Sequence, residues 1–182
     1  MRPSAPTLLL PLAALLLLAA LPLAAQKEKR EPLTEAQIEK IREAGIYPNE
    51  RLSLYTKFLD EHADTLKQLT GRVRSPARAK RLNEELEDFT ALMDELGSNL
   101  DQYADRKADI RKALKGLTEA TGRWQSVLNG LPGEPGFDLS RKEAIESLDD
   151  LADQAKRLLT EQTEYFKQHK DEAGQDRAEP KP

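Results

Sequence analysis

Hydrophobic side chains recur along this chain at alternating spacings of three and four. Leu82, Phe89, Leu96, Tyr103, Ile110, Leu117, Trp124 and Leu131 fall seven residues apart. Leu86, Met93, Leu100, Lys107, Leu114, Thr121 and Leu128 form the interleaved line, and only Lys107 and Thr121 in it are polar. This alternation gathers apolar side chains on one stripe of an α-helix, and sustained heptads predict a coiled-coil seam. A shorter line precedes it: Leu52, Tyr55, Leu59, His62, Leu66 and Leu69, with Phe58 widening the face. Another follows: Ile145, Leu148, Ala152, Ala155, Leu159, Gln162, Phe166 and His169, with Leu151, Leu158 and Tyr165 as an added column. Long β-branched runs are missing, so the pattern predicts an all-α fold.

Start and stop signals divide these lines into elements. In "LTEAQIEKIREAG" (33–45), Thr34 is the expected N-cap, Gln37 closes a capping box, and Leu33 and Ile38 staple it. Gly45 is the expected C-cap. Asn49 is expected to cap the next helix, which ends at Gly71. Ser75 and Pro76 have the residue types of an N-cap and a first helical position. "NGLPGEPGFD" (129–138), with three glycines and two prolines, is a loop. The last helix is expected to open with Ser140 as cap, Glu143 closing the box and Leu139 as staple.

The decisive position is Gly97. A turn there would lack the hydrophobic residue that accompanies a glycine C-cap, because Ser98 follows. The heptad phase also runs past Gly97 without a slip, and one glycine inside a helix costs only about 1 kcal/mol. The expectation is therefore one continuous helix from 76 to 130, roughly 80 Å long at 1.5 Å per residue. Helices near 50–70 and 140–170 would fold back on it as antiparallel hairpins, giving an elongated coiled-coil form. The alternative is a compact four-helix up-down bundle turning at 97–99. In either form, the wide face of the last helix asks for a third partner, from this chain or a second copy.

Outside the helices, the amino end carries the most information. Arg2 precedes an apolar run, "LLLPLAALLLLAALPLAA" (8–25), that ends in small residues before Gln26. That is the pattern of a signal peptide cleaved before Gln26. An uncleaved anchor is the other reading of an 18-residue run; Pro11, Pro22 and the switch to "QKEKRE" argue for cleavage. Residues 26–172 then form a single helical domain, and 173–182 a disordered polar tail. The location expected is periplasmic or secreted. The whole chain has 28 basic and 32 acidic residues, and removing Arg2 leaves 27 − 32 = −5. Nothing in that balance points to nucleic acid. The absence of cysteine excludes disulfides, thiolate metal sites and a lipid-modified cysteine.

No residue constellation of a known chemistry appears. His62 and His169 are the only histidines, and neither has a glutamate three residues before it, as a di-iron bundle needs. Each also fits a boundary position on a packed helix. Glycine-rich phosphate loops, calcium loops and nucleophile elbows are absent. The expectation is no catalytic residue, no metal and no cofactor. "GRVRSPARAKR" (71–81) is the most unusual local signal, with Arg72, Arg74, Arg78, Lys80 and Arg81 and no acid. It suggests an anionic partner: a lipid head group, lipopolysaccharide or an acidic protein face. Its plainer reading is a solvated hairpin end paired with acids of neighbouring helices. Lys107 is expected to set register or partner choice within the seam, as a single polar core position can. Trp124 fits the core better than a ligand platform.

The leader together with "LTEAQ" (33–37) resembles a small family of periplasmic helical chaperones and stress sensors marked by LTxxQ repeats. The resemblance covers five residues, with "LSRKE" as a loose second copy, and implies a chaperone-like role. The same five residues also build a stapled capping box. The functional expectation is an exported, non-enzymatic interaction protein of a bacterial envelope, acting as scaffold, adaptor or chaperone. It would bind a protein partner or itself through helical faces. The competing expectation is a bundle that binds a small ligand or metal in its core, using His62, His169, Lys107, Thr121 and Gln162.

Overall fold

In a computed structural model, which describes residues 31–174, the chain begins with the capping box expected at Thr34. The Thr34 side chain accepts from the Gln37 amide, and the Gln37 side chain accepts from the Thr34 amide at 2.8 Å. Helix α1 (Glu35–Glu43) follows, with Leu33 buried beneath it and Ala44 rather than Gly45 as its C-cap. Four longer helices succeed it: α2 (Pro48–Thr70), α3 (Pro76–Asp105), α4 (Arg111–Gly130) and α5 (Asp138–Gln168). Among the described residues the fold is all-helical. The leader 1–25, its cleavage point and residues 175–182 of the polar tail lie outside the described residues.

Helix α3 runs straight through Gly97, as the phase argument predicts. The glycine serves a close approach: a Cβ there would stand 3.1 Å from Gln154 Oε1. Gln154 instead donates to the Gly97 carbonyl at 3.1 Å and to Asp101 at 2.7 Å, drawing α5 against α3. The continuous helix to residue 130 is not formed, however. The chain leaves α3 at Asp105 and starts α4 at Arg111. Lys107 adopts φ 54°, its amide bonds the Ala104 carbonyl, and the Ala108 amide bonds the Tyr103 carbonyl. Those two bonds define a Schellman C-cap, with a lysine where glycine is usual. The expected seam role of Lys107 is thereby corrected. Its side chain is exposed and lies over the Tyr165 ring, 5.2 Å from the centroid.

The heptad count survives this break because Tyr103 and Ile110, on either side, are still seven residues apart and both buried. A repeat can keep its phase across a turn whose length happens to match, so phase alone does not show a continuous helix.

The four long helices form a ring in the order α2, α3, α5, α4, with α1 resting on α2 alone. Successive helices run up and down, but the α3–α4 connection crosses the diagonal. Parallel neighbours result. Asn49 and Asp60 of α2 meet Ala113 and Trp124 of α4. Asn83, Asp94 and Asp101 of α3 meet Ser140, Ser147 and Gln154 of α5. Across the diagonal only side chains touch: Phe89 and Trp124 meet edge to face at 5.8 Å, a favoured aromatic geometry. The wide face of α5 is used within the chain. Ala144, Leu148, Leu151, Ala155, Leu158 and Phe166 are buried, and α5 packs on both α3 and α4.

Two expected caps are also corrected. Asn49 lies one residue inside α2, which starts at Pro48, and caps α4 instead. It accepts from the Ala113 amide at 3.0 Å and donates to the Asp109 carbonyl at 2.7 Å. Ser140 lies inside α5, buried, and donates to Asn83 Oδ1 at 2.7 Å, while Leu139 is 70 % exposed and staples nothing. The Ser75 cap forms as expected, accepting from the Arg78 amide at 3.2 Å. The start of the expected disordered tail is ordered: Gly174 donates its amide to Asp109 Oδ2 at 2.8 Å.

Candidate interaction surface

The basic segment 71–81 occupies the turn between α2 and α3 and the first turn and a half of α3. Residues 71–77 are all exposed. Helical geometry then separates the five cations. Lys80 and Arg81 lie on the outer side of α3, whereas Arg78 faces inward. The Arg78 side chain is 4 % exposed. Its Nε donates to the Leu69 carbonyl at 2.9 Å and its Nη2 to Thr70, satisfying the carboxyl end of α2. Its Nη1 reaches both Glu134 oxygens, at 2.9 and 3.1 Å.

Glu134 belongs to the loop between α4 and α5, so Arg78 ties two connections at one end of the bundle. Arg74 approaches the same carboxylate at 3.3 Å while remaining 75 % exposed. Lys80 pairs loosely with Glu84 at 3.7 Å. Arg72 and Arg81 have no acidic partner among the described residues. Four of the five predicted cations therefore form an outward group, and the fifth is a structural clamp. Only the tertiary fold distinguishes Arg78, because its partner lies 56 residues away.

The remaining candidates do not converge. His62 bridges α3 and the segment before α1: Nδ1 contacts Glu85 Oε1 at 2.6 Å, and Nε2 contacts the Pro32 carbonyl at 3.2 Å. Burial works against its charge. The Glu85 hydrogen bond and the charges of Glu85 and Asp88 outweigh burial, so its pKa is raised. Gln162 is buried and bonds the Ile110 amide and the Ala108 carbonyl. Thr121 donates to the Thr118 carbonyl within its own helix. His169 stacks on Tyr165 at the far end of α5. Trp124 is 1 % exposed and belongs to the core, as expected, donating Nε1–H to Asp60 at 2.7 Å. Among the described residues, no three His, Cys, Asp or Glu side chains cluster as metal ligands would.

Sequence reasoning missed a polar group along the parallel α2–α4 pair. Arg123 and Trp124 both bond Asp60 there, beside an open groove of about 680 Å³ lined by Ala63, Lys67 and Val127. A second groove of about 560 Å³ follows the parallel α3–α5 pair over Met93, Gly97 and Leu151. Each residue looks like an ordinary helix-surface position in sequence, and only the parallel pairing brings them together. No helix among the described residues is long and apolar enough to cross a membrane. Compared with family models, curated proteins and solved structures, the chain matches none.

Proposed function

We propose that this chain is an exported, non-enzymatic interaction protein of a bacterial envelope, a scaffold, adaptor or chaperone that works through its outer surfaces. One observation carries the reading: the interior is filled, while the uncommitted charge sits outside. Trp124, Tyr55, Phe58, Phe89 and Phe137 are each at most 1 % exposed and occupy the space a ligand would need. Native cores pack as densely as organic crystals, so little room is left between such side chains. The competing reading, a small ligand or metal inside the bundle, lacks comparable support. Its five polar side chains point to separate backbone or surface partners.

The test has two stages. The full chain is expressed in a bacterial host and the envelope fraction is recovered. A soluble species whose mass begins at Gln26 is expected. Photo-crosslinking side chains are then placed at exposed positions, such as Ser98 on α3 and Gln125 on α4, in the native host. Discrete protein adducts from one face support an interaction role, and an adduct of twice the chain mass assigns that face to self-association. Retention in the cytoplasm with the leader intact, or adducts at no face, overturns the proposal.

A further inference from the structure

We infer that the end of the bundle formed by residues 71–81 docks on an anionic lipid surface, with Val73 as the side chain that enters it. The inference rests on the envelope reading above and names a partner for one surface. Val73 is 89 % exposed, the most exposed of the large apolar side chains described. It sits at the turn between Arg72 and Arg74, in a run of seven consecutive exposed residues. Leu139, 70 % exposed, lies at the same end on the first turn of α5, with Lys142, itself 73 % exposed, one turn on. Single exposed apolar residues are common on protein surfaces. Here two of them share an end with Arg72 and Arg81, which have no acidic partner among the described residues.

Charge and shape select the partner. Arg72 and Arg81 are unpaired among the described residues, Lys80 is only loosely paired, and Arg74 shares Glu134 with Arg78. Segment 71–81 contains no acid, although the chain as a whole is negative. Clustered Lys and Arg are attracted to anionic lipid within about a Debye length. Their long stems let the charges stay at the phosphate level while an apolar neighbour goes deeper. The turn also projects into solvent: residues 71–77 are all exposed, Val73 among them at 89 %. A protruding valine needs either a matching pocket or a yielding apolar medium, and a lipid surface presents the second wherever the turn lands. Arg78 holds the base of the turn to Leu69, Thr70 and Glu134. The flanking arginines are therefore presented on a braced support.

The experiment uses the soluble chain recovered from the envelope fraction. The protein has no cysteine of its own, so Val73→Cys and Ser98→Cys each take a single polarity-sensitive fluorophore. Vesicles of phosphatidylglycerol mixed with phosphatidylcholine are compared with phosphatidylcholine alone. The expected result is binding to the anionic vesicles, a blue shift at position 73 and none at 98, and loss of binding in about 0.5 M salt. Arg72→Glu with Arg74→Glu lowers vesicle affinity about tenfold or more, and Val73→Asp abolishes the deep component of binding. All three positions are exposed, and circular dichroism checks that the helices persist. Three results overturn the inference. They are no binding to anionic vesicles, binding undiminished by these substitutions, or binding to polyglutamate without binding to vesicles. The last reassigns the patch to an acidic polypeptide. Any of these failures leaves crosslinked protein adducts on the helical faces intact, so loss of the lipid inference is distinguishable from loss of the envelope reading.

Discussion

The two turns at either end of α3 are built on different principles. The turn at 71–75 is written in its own residues. Gly71 ends one helix, Ser75 caps the next through a bond three residues ahead, and Pro76 occupies its first position. It is exposed throughout, and the one distant partner it uses among the described residues is Glu134, reached by the Arg78 brace and by exposed Arg74. The turn at 106–110 has neither glycine nor proline, and its last three residues are buried. The Lys107 and Ala108 amides close the Schellman cap on α3, but the Ala108 and Asp109 carbonyls and the Ile110 amide are satisfied from elsewhere. Asn49 of α2 bonds the Asp109 carbonyl and the Ala113 amide, and Gln162 of α5 bonds the Ala108 carbonyl and the Ile110 amide. A chain can therefore reverse without a local signal, provided the assembled bundle supplies the hydrogen bonds that the turn lacks.

Substitutions can break this contrast, and the largest effect is expected at Gln162. Gln162→Leu would leave a buried amide and a buried carbonyl unpaired, each costing roughly 1–3 kcal/mol. A loss of about 3 kcal/mol in urea unfolding is expected. A loss below about 1 kcal/mol, the range of a single cap, would mean that the 106–110 turn is locally encoded after all. The matching change in the other turn, Ser75→Ala, removes one exposed cap and is expected to cost about 1 kcal/mol. The ratio of the two effects measures the difference between a turn held from outside and one held by itself.

Lys107→Gly sharpens the contrast in the opposite direction. A left-handed lysine is strained by roughly 1 kcal/mol or more. Glycine relieves that strain and returns part of the gain as greater freedom of the unfolded chain. A net stabilisation of about 0.5 kcal/mol is expected, read as a raised urea midpoint with unchanged slope. A destabilisation would show that the lysine side chain over Tyr165 contributes more than its backbone strain removes.

Smallest are the effects of pH, and their signs differ. The Arg111 hydrogen bond, opposed by burial and aided by the Gly174 and Arg111 amides, lowers the Asp109 pKa. Its stabilisation of the 106–110 turn is present above the ordinary carboxylate value, near 4, and is lost as pH falls through the folded value. His62 is raised, so its stabilisation is complete below about 6.5 and is lost as pH rises through the folded value. The Asp109→Asn variant should thus approach wild type in acid. The His62→Gln variant should approach it as pH rises above the folded His62 value. A difference from wild type that is independent of pH in either variant would remove the assigned titration.

Function is less legible than fold here, for a physical reason. Helix caps and heptads reflect local geometry, so Thr34, Ser75 and nearly every core leucine could be read without a structure. The segment 71–81 was legible as a basic run, but its division into a buried clamp and an outward group was not. Arg78 and Arg81 are chemically identical, and only helix rotation against Glu134 separates their roles.

By itself, the sequence determined the all-helical class, the boundaries near Thr34, Ser75 and the 129–138 loop, and most of the leucine positions that are buried. Each depends on periodicity or on bonds spanning three or four residues. The tertiary structure alone decided that α3 stops at Asp105 and that α4 returns along the diagonal. It also decided that Asn49 and Gln162 cap a turn from other helices and that Arg78 is withdrawn from the basic surface. Those outcomes depend on partners more than fifty residues away, whose proximity exists only after the helices have packed.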